Sequence, residues 1–282
     1  MKSTDKGVLH VVATPIGNLE DITMRAVSVL KSVDLIACED TRKSLVLLRR
    51  WGVATELMSL HRFSESRRIG TVIQRLDQGQ NVALITDAGT PAVSYPWNRL
   101  VRAVLESGFK VTPIPGPSSI MAALSVAGMD ASTFLFLGFA PRKDDHRRAF
   151  FEEIRDAIRT SIFLETPKRI LDTLKIGADI LGDRSMVILR ELTKIHEEIL
   201  PGTAASILRD LETRHAVKGE IAVVVQGRSD APAGVDMEQV VQTLMREGFT
   251  GKRLADEAAR RFGAKKTAAY EAFLKMRRDS WE

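Results

Sequence analysis

The chain has 282 residues, 44% of them hydrophobic and 27% charged, enough for one large or two medium domains and incompatible with wholesale disorder. Its one cysteine, Cys38, excludes a disulfide framework and a zinc site built on two cysteines, and no apolar run reaches the ~18 residues a membrane span needs, so a reducing cytoplasm is expected. The net charge is +5, and residues 251–282, with nine Lys/Arg against five Asp/Glu, carry +4 of it, which suits a nucleic-acid partner as well as a solvated helical face.

The first 128 residues alternate apolar β-branched runs with 3.6-period helical patterns. Strands are expected at 8–13, 34–38, 55–60, 81–85 and 110–114, and helices at 22–33, 41–51, 67–78, 97–107 and 118–127. That rhythm predicts a parallel sheet covered on both faces. Beyond Phe134 the strands lengthen (134–139, 161–165, 185–192, 219–226), with helices at 147–159, 169–181 and 204–213. The α/β reading is therefore a domain over 1–128 and a second, mixed-sheet domain over 129–228. A linker at 227–235, containing Asp230-Ala231-Pro232-Ala233-Gly234, precedes a helical tail over 236–282. The tail holds helix patterns at 237–247, 252–262 and 265–276, with Gly248 and Gly263 as helix ends. Its last two helices read as a helix-turn-helix unit with Leu254, Ala258, Phe262, Phe273 and Leu274 as its core.

Ligands of open parallel sheets bind beyond the carboxyl ends of the strands. Four loops there are rich in turn residues: Thr14 to Asp21, Cys38 to Arg42, Thr86 to Pro91 and Pro113 to Ser119. Gly17, Gly89 and Gly116 would let a ligand approach the backbone, and Pro117-Ser118-Ser119 opens a helix whose free N–H groups suit an anion or a plain serine cap. Glu39, Asp40 and Arg42 share one loop, as a base with a phosphate clamp or as a helix cap. No dinucleotide-binding or P-loop fingerprint occurs, and the five histidines lack metal-ligand spacing, so no metal is expected. The basic pairs His61-Arg62, Arg67-Arg68, Arg142-Lys143 and Arg147-Arg148 read equally as solvated surface.

Thr14-Pro15-Ile16-Gly17-Asn18-Leu19-Glu20-Asp21, Glu39-Asp40-Thr41-Arg42, Thr86-Asp87-Ala88-Gly89-Thr90-Pro91 and Pro115-Gly116-Pro117-Ser118 occur in an order that resembles the tetrapyrrole-methylase-like superfamily. Phe163 to Arg169, Arg190-Glu191-Leu192-Thr193-Lys194 and Lys218-Gly219-Glu220 continue the match, which runs from Val8 to Gln226. Within the superfamily, the Glu-Asp-Thr-Arg and Arg-Glu-Leu-Thr-Lys stretches are similar to the branch that methylates small-subunit ribosomal RNA. The resemblance implies S-adenosylmethionine in a cleft between two α/β domains, a homodimer, and methyl transfer to the ribose 2′-hydroxyl of a cytidine in the decoding region of 16S rRNA. It implies cofactor contacts at Pro15, Asp87, Ala88, Gly89, Ser118 and Ser119, and at Phe163, Leu164, Leu192, Glu220, Ile221 and Ala222. Asp40, then Glu39, are the candidate bases, with Arg42 and Arg190 for phosphate or ribose. One departure is Ser94-Tyr95-Pro96-Trp97, where the family pattern has Asp-Pro-Gly; no role is carried onto Tyr95 or Trp97. Competing readings are a methyltransferase acting on a tetrapyrrole or a protein side chain, and a non-catalytic RNA-binding module.

Overall fold

The computed structural model describes residues 6–60, 65–93, 97–228, 237–264 and 266–279. His61-Arg62, Ser94-Tyr95-Pro96 and most of the linker expected at 227–235 lie outside them. Contacts divide the chain into two compact units, Met1–Val126 with Leu189–Glu198, and Ala127–Ile188 with Ile199–Glu282.

The first unit is built on β1 (Val8–Val12), β2 (Leu35–Cys38), β3 (Glu56–Ser59), β4 (Val82–Leu84) and β5 (Lys110–Ile114), in the order β3-β2-β4-β1-β5 with every pairing parallel. The helices between them are α1 (Met24–Ser32), α2 (Thr41–Arg50), α3 (Glu65–Asp77) and α4 (Asn98–Glu106), and α5 (Ser119–Val126) follows β5. Period-two alternation sorts the strand side chains onto two faces. Leu35, Ala37, Val82 and Leu84 pack with Val72, Leu76, Leu100 and Val104 of α3 and α4. Ile36, Cys38 and Ala83 pack on the other side with Ala26, Leu30, Leu47 and Leu48 of α1 and α2. Trp97, in the departing stretch, is 2% exposed within the first of these cores, so it serves packing.

Strand order also positions the functional edge. The chain leaves β2 outward to β3 but leaves β4 in the opposite direction, past β1, to β5. Neighbouring strands whose connections diverge leave a crevice between their carboxyl ends.

The second unit holds β6 (Phe134–Phe139), α6 (Asp144–Asp156), β7 (Thr160–Glu165), α7 (Ile170–Leu181), β8 (Ser185–Arg190), β9 (Glu198–Thr203), α8 (Ala204–Glu212) and β10 (Ile221–Val225). The sheet order is β6-β7-β10-β8-β9, with β6 parallel and β10 antiparallel to β7, a mixed sheet. Phe150, Phe151 and Phe163 meet edge to face at 5.2–5.9 Å between centroids, anchoring α6 to the sheet. Strand β9 has no counterpart in the sequence reading. It is an edge strand of alternating partial burial that includes Pro201, which an edge tolerates because one side of the ladder needs no donor.

Three tail helices follow: α9 (Met237–Arg246), α10 (Gly251–Phe262) and α11 (Lys266–Asp279). Their shared core is Val240, Val241, Leu244, Leu254, Ala255, Ala258, Ala269 and Phe273. Phe262 packs partly buried against it, but Leu274 is 38% exposed and does not join; α9 fills the space that a two-helix unit would assign to Leu274. Gly248 and Gly263 have φ of +88° and +65°, so both do end helices in the left-handed conformation. No helix among the described residues is long and apolar enough to cross a membrane.

Candidate functional site

The crevice between β2 and β4 is where the sequence places its chemistry. Asp40 ends the segment after β2 and caps α2: its Oδ1 accepts the Arg42 backbone N–H at 2.9 Å. The Arg42 guanidinium folds back and chelates the same carboxylate at 3.2 and 2.9 Å. These hydrogen bonds lower the Asp40 pKa to about 2. A carboxylate with so little proton affinity is a poor base near neutral pH. Because its folded pKa is depressed, any stability the pair supplies is present above the ordinary carboxylate range and is lost as pH falls through the folded value. The Asp40 carboxyl carbon is expected to titrate by NMR near pH 2, and a midpoint in the ordinary carboxylate range would remove the Arg42 pairing.

Across the crevice, Asp87 accepts the Asp40 backbone N–H at 3.2 Å and pairs with Lys43 Nζ at 2.7 Å. Thr86 donates its hydroxyl to Glu39 at 3.3 Å. Glu39, Asp40, Lys43, Thr86 and Asp87 thus form one polar cluster spanning the switch point. Lys43 is absent from the sequence reading. Its partner lies 44 residues away, and nothing in a helix face of mixed charge announces such a pair.

The other edge loops are laced to this cluster. Thr14 and Gly89 exchange backbone hydrogen bonds at 2.9 and 3.0 Å, and the Thr14 hydroxyl donates to the Thr86 carbonyl at 3.0 Å. Thr90 donates to the Pro117 carbonyl at 3.3 Å, tying in the loop after β5. There Ser118 caps α5 through a long 3.4 Å bond from the Met121 N–H, so its cap role is present. Pro15 is buried beneath the loops, while Ala88 is exposed and Asp87, Ser118 and Ser119 are half-buried.

Of the three glycines expected to admit a ligand, two are occupied by the chain itself. A Cβ on Gly17 would lie 2.8 Å from the Leu192 carbonyl oxygen, and one on Gly116 would lie 3.1 Å from the Ala13 Cβ. Gly89 differs: its φ is +77°, and the nearest atom to such a Cβ is Ile16 Cγ2 at 3.5 Å. Gly17 therefore seats the segment 189–198, which groups with this unit and brings Arg190 and Leu192 with it. The Asn18 N–H donates to Thr193 Oγ1 at 3.1 Å, and Arg190 pairs with Glu198 at 3.0 Å. Glu191 and Thr193 have φ of +54° and +66°, and Ala92 after β4 has +65°; these are the positive-φ non-glycine residues among those described, and all lie in loops of this unit. Such conformations cost of order 1–3 kcal/mol each and persist only where surroundings enforce them, typically at functional sites.

In the second unit, β7 and β10 bring Leu164 opposite Ala222 and Glu165 opposite Ile221, with Glu220 just before the ladder. The Phe163 and Ile221 side chains are committed to the core. Only their backbone atoms remain for any ligand.

A family model for tetrapyrrole (corrin/porphyrin) methylases matches residues 8–208, which takes in the whole first sheet and the segment 189–198. The chain belongs to this family. A methylase relative from Mesorhizobium japonicum, named ribosomal RNA small subunit methyltransferase I, is 40% identical over 97% of this chain and 94% of its own length. One of the same name from Thermotoga maritima is 40% identical over 79% of this chain and 99% of its own, so about a fifth of this chain is additional to it. Among solved structures, a cobalt precorrin-4 methyltransferase superposes with a TM-score of 0.59 over 78% of this chain and 94% of its own, at 17% identity, a likeness of fold. The chain is a methyltransferase, and methylases of this family use S-adenosylmethionine.

The edge residues fit such a cofactor: open space beside Gly89, a helix N-terminus at Ser118–Ser119 for its carboxylate, and the Asp87 carboxylate for a cationic centre. Gly89→Val is expected to weaken cofactor affinity by tenfold or more, since a branched side chain fills that space. It also costs about 1–2 kcal/mol, because only glycine holds this φ cheaply. Calorimetric titration beside a melting curve checks both, and unchanged affinity in the folded variant would place the cofactor elsewhere.

Proposed function

We propose that this methylase transfers a methyl group from S-adenosylmethionine to the ribose 2′-hydroxyl of a cytidine in the decoding region of small-subunit 16S rRNA. The observation that supports it most is the union of two loops at the switch point. The Glu39–Arg42 stretch, by which the sequence resembles the RNA-methylating branch, is hydrogen-bonded to the Thr86–Asp87 turn characteristic of the whole superfamily. The relatives' name points to the same substrate.

When bound, the cofactor supplies an activated methyl carbon, so the protein's task is to align a weakly acidic hydroxyl, accept its proton and exclude water. Alignment alone can supply about 7–11 kcal/mol, more than the two to four decades typical of a general base. Glu39 is assigned as the proton acceptor: Asp40 is tied to the α2 cap and to Arg42, whereas Glu39 is held only by the Thr86 hydroxyl in the hydrogen bonds at hand. The exposed faces of Arg42 and Lys43 lie beside it, where a substrate phosphate would be met by positive charge. Gly89, Asp87, Ala88, Pro15, Ser118 and Ser119 form the cofactor side of the same edge in this reading, with Leu192 brought by the segment 189–198. The enzyme is read as a cytoplasmic homodimer; α5, which leaves Met121 and Val126 58% and 49% exposed, supplies an apolar face for a second copy.

The test is transfer of labelled methyl from S-adenosylmethionine to small-subunit rRNA lacking the modification. Alkaline hydrolysis then maps the product, because a 2′-O-methyl group blocks attack on the adjacent phosphodiester. One protected cytidine in the decoding region is expected. Label on a base, on protein or on a tetrapyrrole, or no transfer, would overturn the reading.

A further inference from the structure

Within the second unit, the three-residue connection Ala157–Ile158–Arg159 between α6 and β7 is clasped from two sides. Gly227 crosses it so closely that a Cβ would collide with the Ile158 carbonyl, and the next N–H, of Arg228, donates to the Ala157 carbonyl at 2.8 Å. From the tail, Gly263 at the end of α10 rests on the Ile158 side chain, again with no room for a Cβ. Two strand-end segments and a helical turn therefore enclose a cavity of about 240 Å³ around Ile158.

Arg159, Arg228 and Arg260 line it, and no acidic side chain does. Glu257, from the same helix, pairs with Arg260, and Asp156 pairs with Arg155, both outside the lining. The helix dipole explains Arg260, in the last turn of α10. It does not explain Arg159 and Arg228, which arrive from other elements. Behind them Arg184 is held by the carbonyls of Gln226 and Arg155, at 3.1 and 2.9 Å, rather than by a carboxylate. Burial first, and then repulsion from Arg228, press its pKa below the usual guanidinium range. Positive charge is thus crowded around an open space, an arrangement relieved by a bound anion. Guanidinium forks suit the paired oxygens of a phosphate.

We propose that this cavity seats a backbone phosphate of the RNA substrate, gripped jointly by Arg159 and Arg228 from the second unit's sheet ends and Arg260 from the tail. The proposal rests on the RNA reading above and adds to it a site outside the cofactor edge. A polyanion fits better than a free anion because Arg159 is solvent-exposed, where one screened contact is weak, and because residues 251–282 carry a surplus of +4 to hold neighbouring phosphates.

The experiment measures affinity of the full chain for a 16S rRNA transcript across salt concentrations, for wild type, Arg159→Ala/Arg228→Ala and the charge-keeping Arg159→Lys/Arg228→Lys. Removing one phosphate contact should flatten the log–log salt slope by about 0.7–0.9, which is about five- to eightfold in affinity at 0.1 M salt. The lysine pair should keep most of the slope, and all three proteins should bind S-adenosylmethionine alike. Should the double alanine variant fail to fold, Arg159→Ala alone reads the same slope, since that side chain is exposed. An unaltered slope in a folded alanine variant overturns the proposal and leaves the RNA reading standing. If inorganic phosphate stabilises wild type but not the variant while the RNA slope is unaltered, the cavity belongs to a free anion and the proposal falls. Wild-type chain that binds S-adenosylmethionine but no RNA would sink the functional reading and this site together.

Discussion

Glu39→Gln is expected to lower the rate of methyl transfer by about 10²–10⁴ while leaving cofactor affinity within a few-fold, whereas Asp40→Asn should stay near wild type. The two acids are adjacent in sequence, yet the fold gives them different work. The Asp40 oxygens are spent on the α2 N-terminus and on Arg42, and asparagine caps a helix about as well as aspartate. The Asp40 carboxylate also binds protons too weakly, with a pKa of about 2, to draw one from a hydroxyl. Glu39 faces the Thr86 hydroxyl across the crevice, and glutamine can keep that bond but cannot take a proton. Single-turnover rates with each variant, beside cofactor titrations, separate chemistry from binding. Loss of turnover in Asp40→Asn with Glu39→Gln unaffected would reverse the assignment.

The first sheet was legible because its strands are buried on both faces and read as unbroken apolar runs such as Leu35 to Cys38, all four residues of which are buried. The edge loops were legible too, since Gly and Pro mark where strands stop. Which glycines face a ligand was not. Gly17, Gly89 and Gly116 look alike in sequence, and only the fold shows that Leu192 and Ala13 crowd two of them. The Lys43–Asp87 pair was invisible for the same reason, being a contact between loops set side by side by strand order. Strand β8 was expected to continue to Leu192 but ends at Arg190, because Glu191 turns left-handed, a conformation its side chain does not advertise.

That turn leads to the second large effect. Gly17→Val is expected to cut kcat/KM for RNA methylation by a hundredfold or more while costing only about 1–3 kcal/mol of stability, the usual range for overpacking. A Cβ at this position meets three atoms of one segment: Lys194 Cγ at 2.5 Å, Leu192 O at 2.8 Å and Thr193 Oγ1 at 2.8 Å. The lysine methylene can swing aside, but the Leu192 carbonyl is backbone and yields only if the segment moves. Its anchors are few: the Asn18–Thr193 and Thr193–Glu197 hydrogen bonds and the Glu191–Lys194 and Arg190–Glu198 pairs, set against two strained φ angles that favour release. A wedge at Gly17 therefore displaces Arg190 and Leu192 from the β1 loop without disturbing the sheet beneath, whose core residues Leu9 and Val12 are wholly buried. Gly17→Ala, adding only the Cβ, should show the same defect in smaller measure. A Gly17→Val protein that melts slightly early but methylates RNA at the wild-type rate would exclude the segment 189–198 from the catalytic edge.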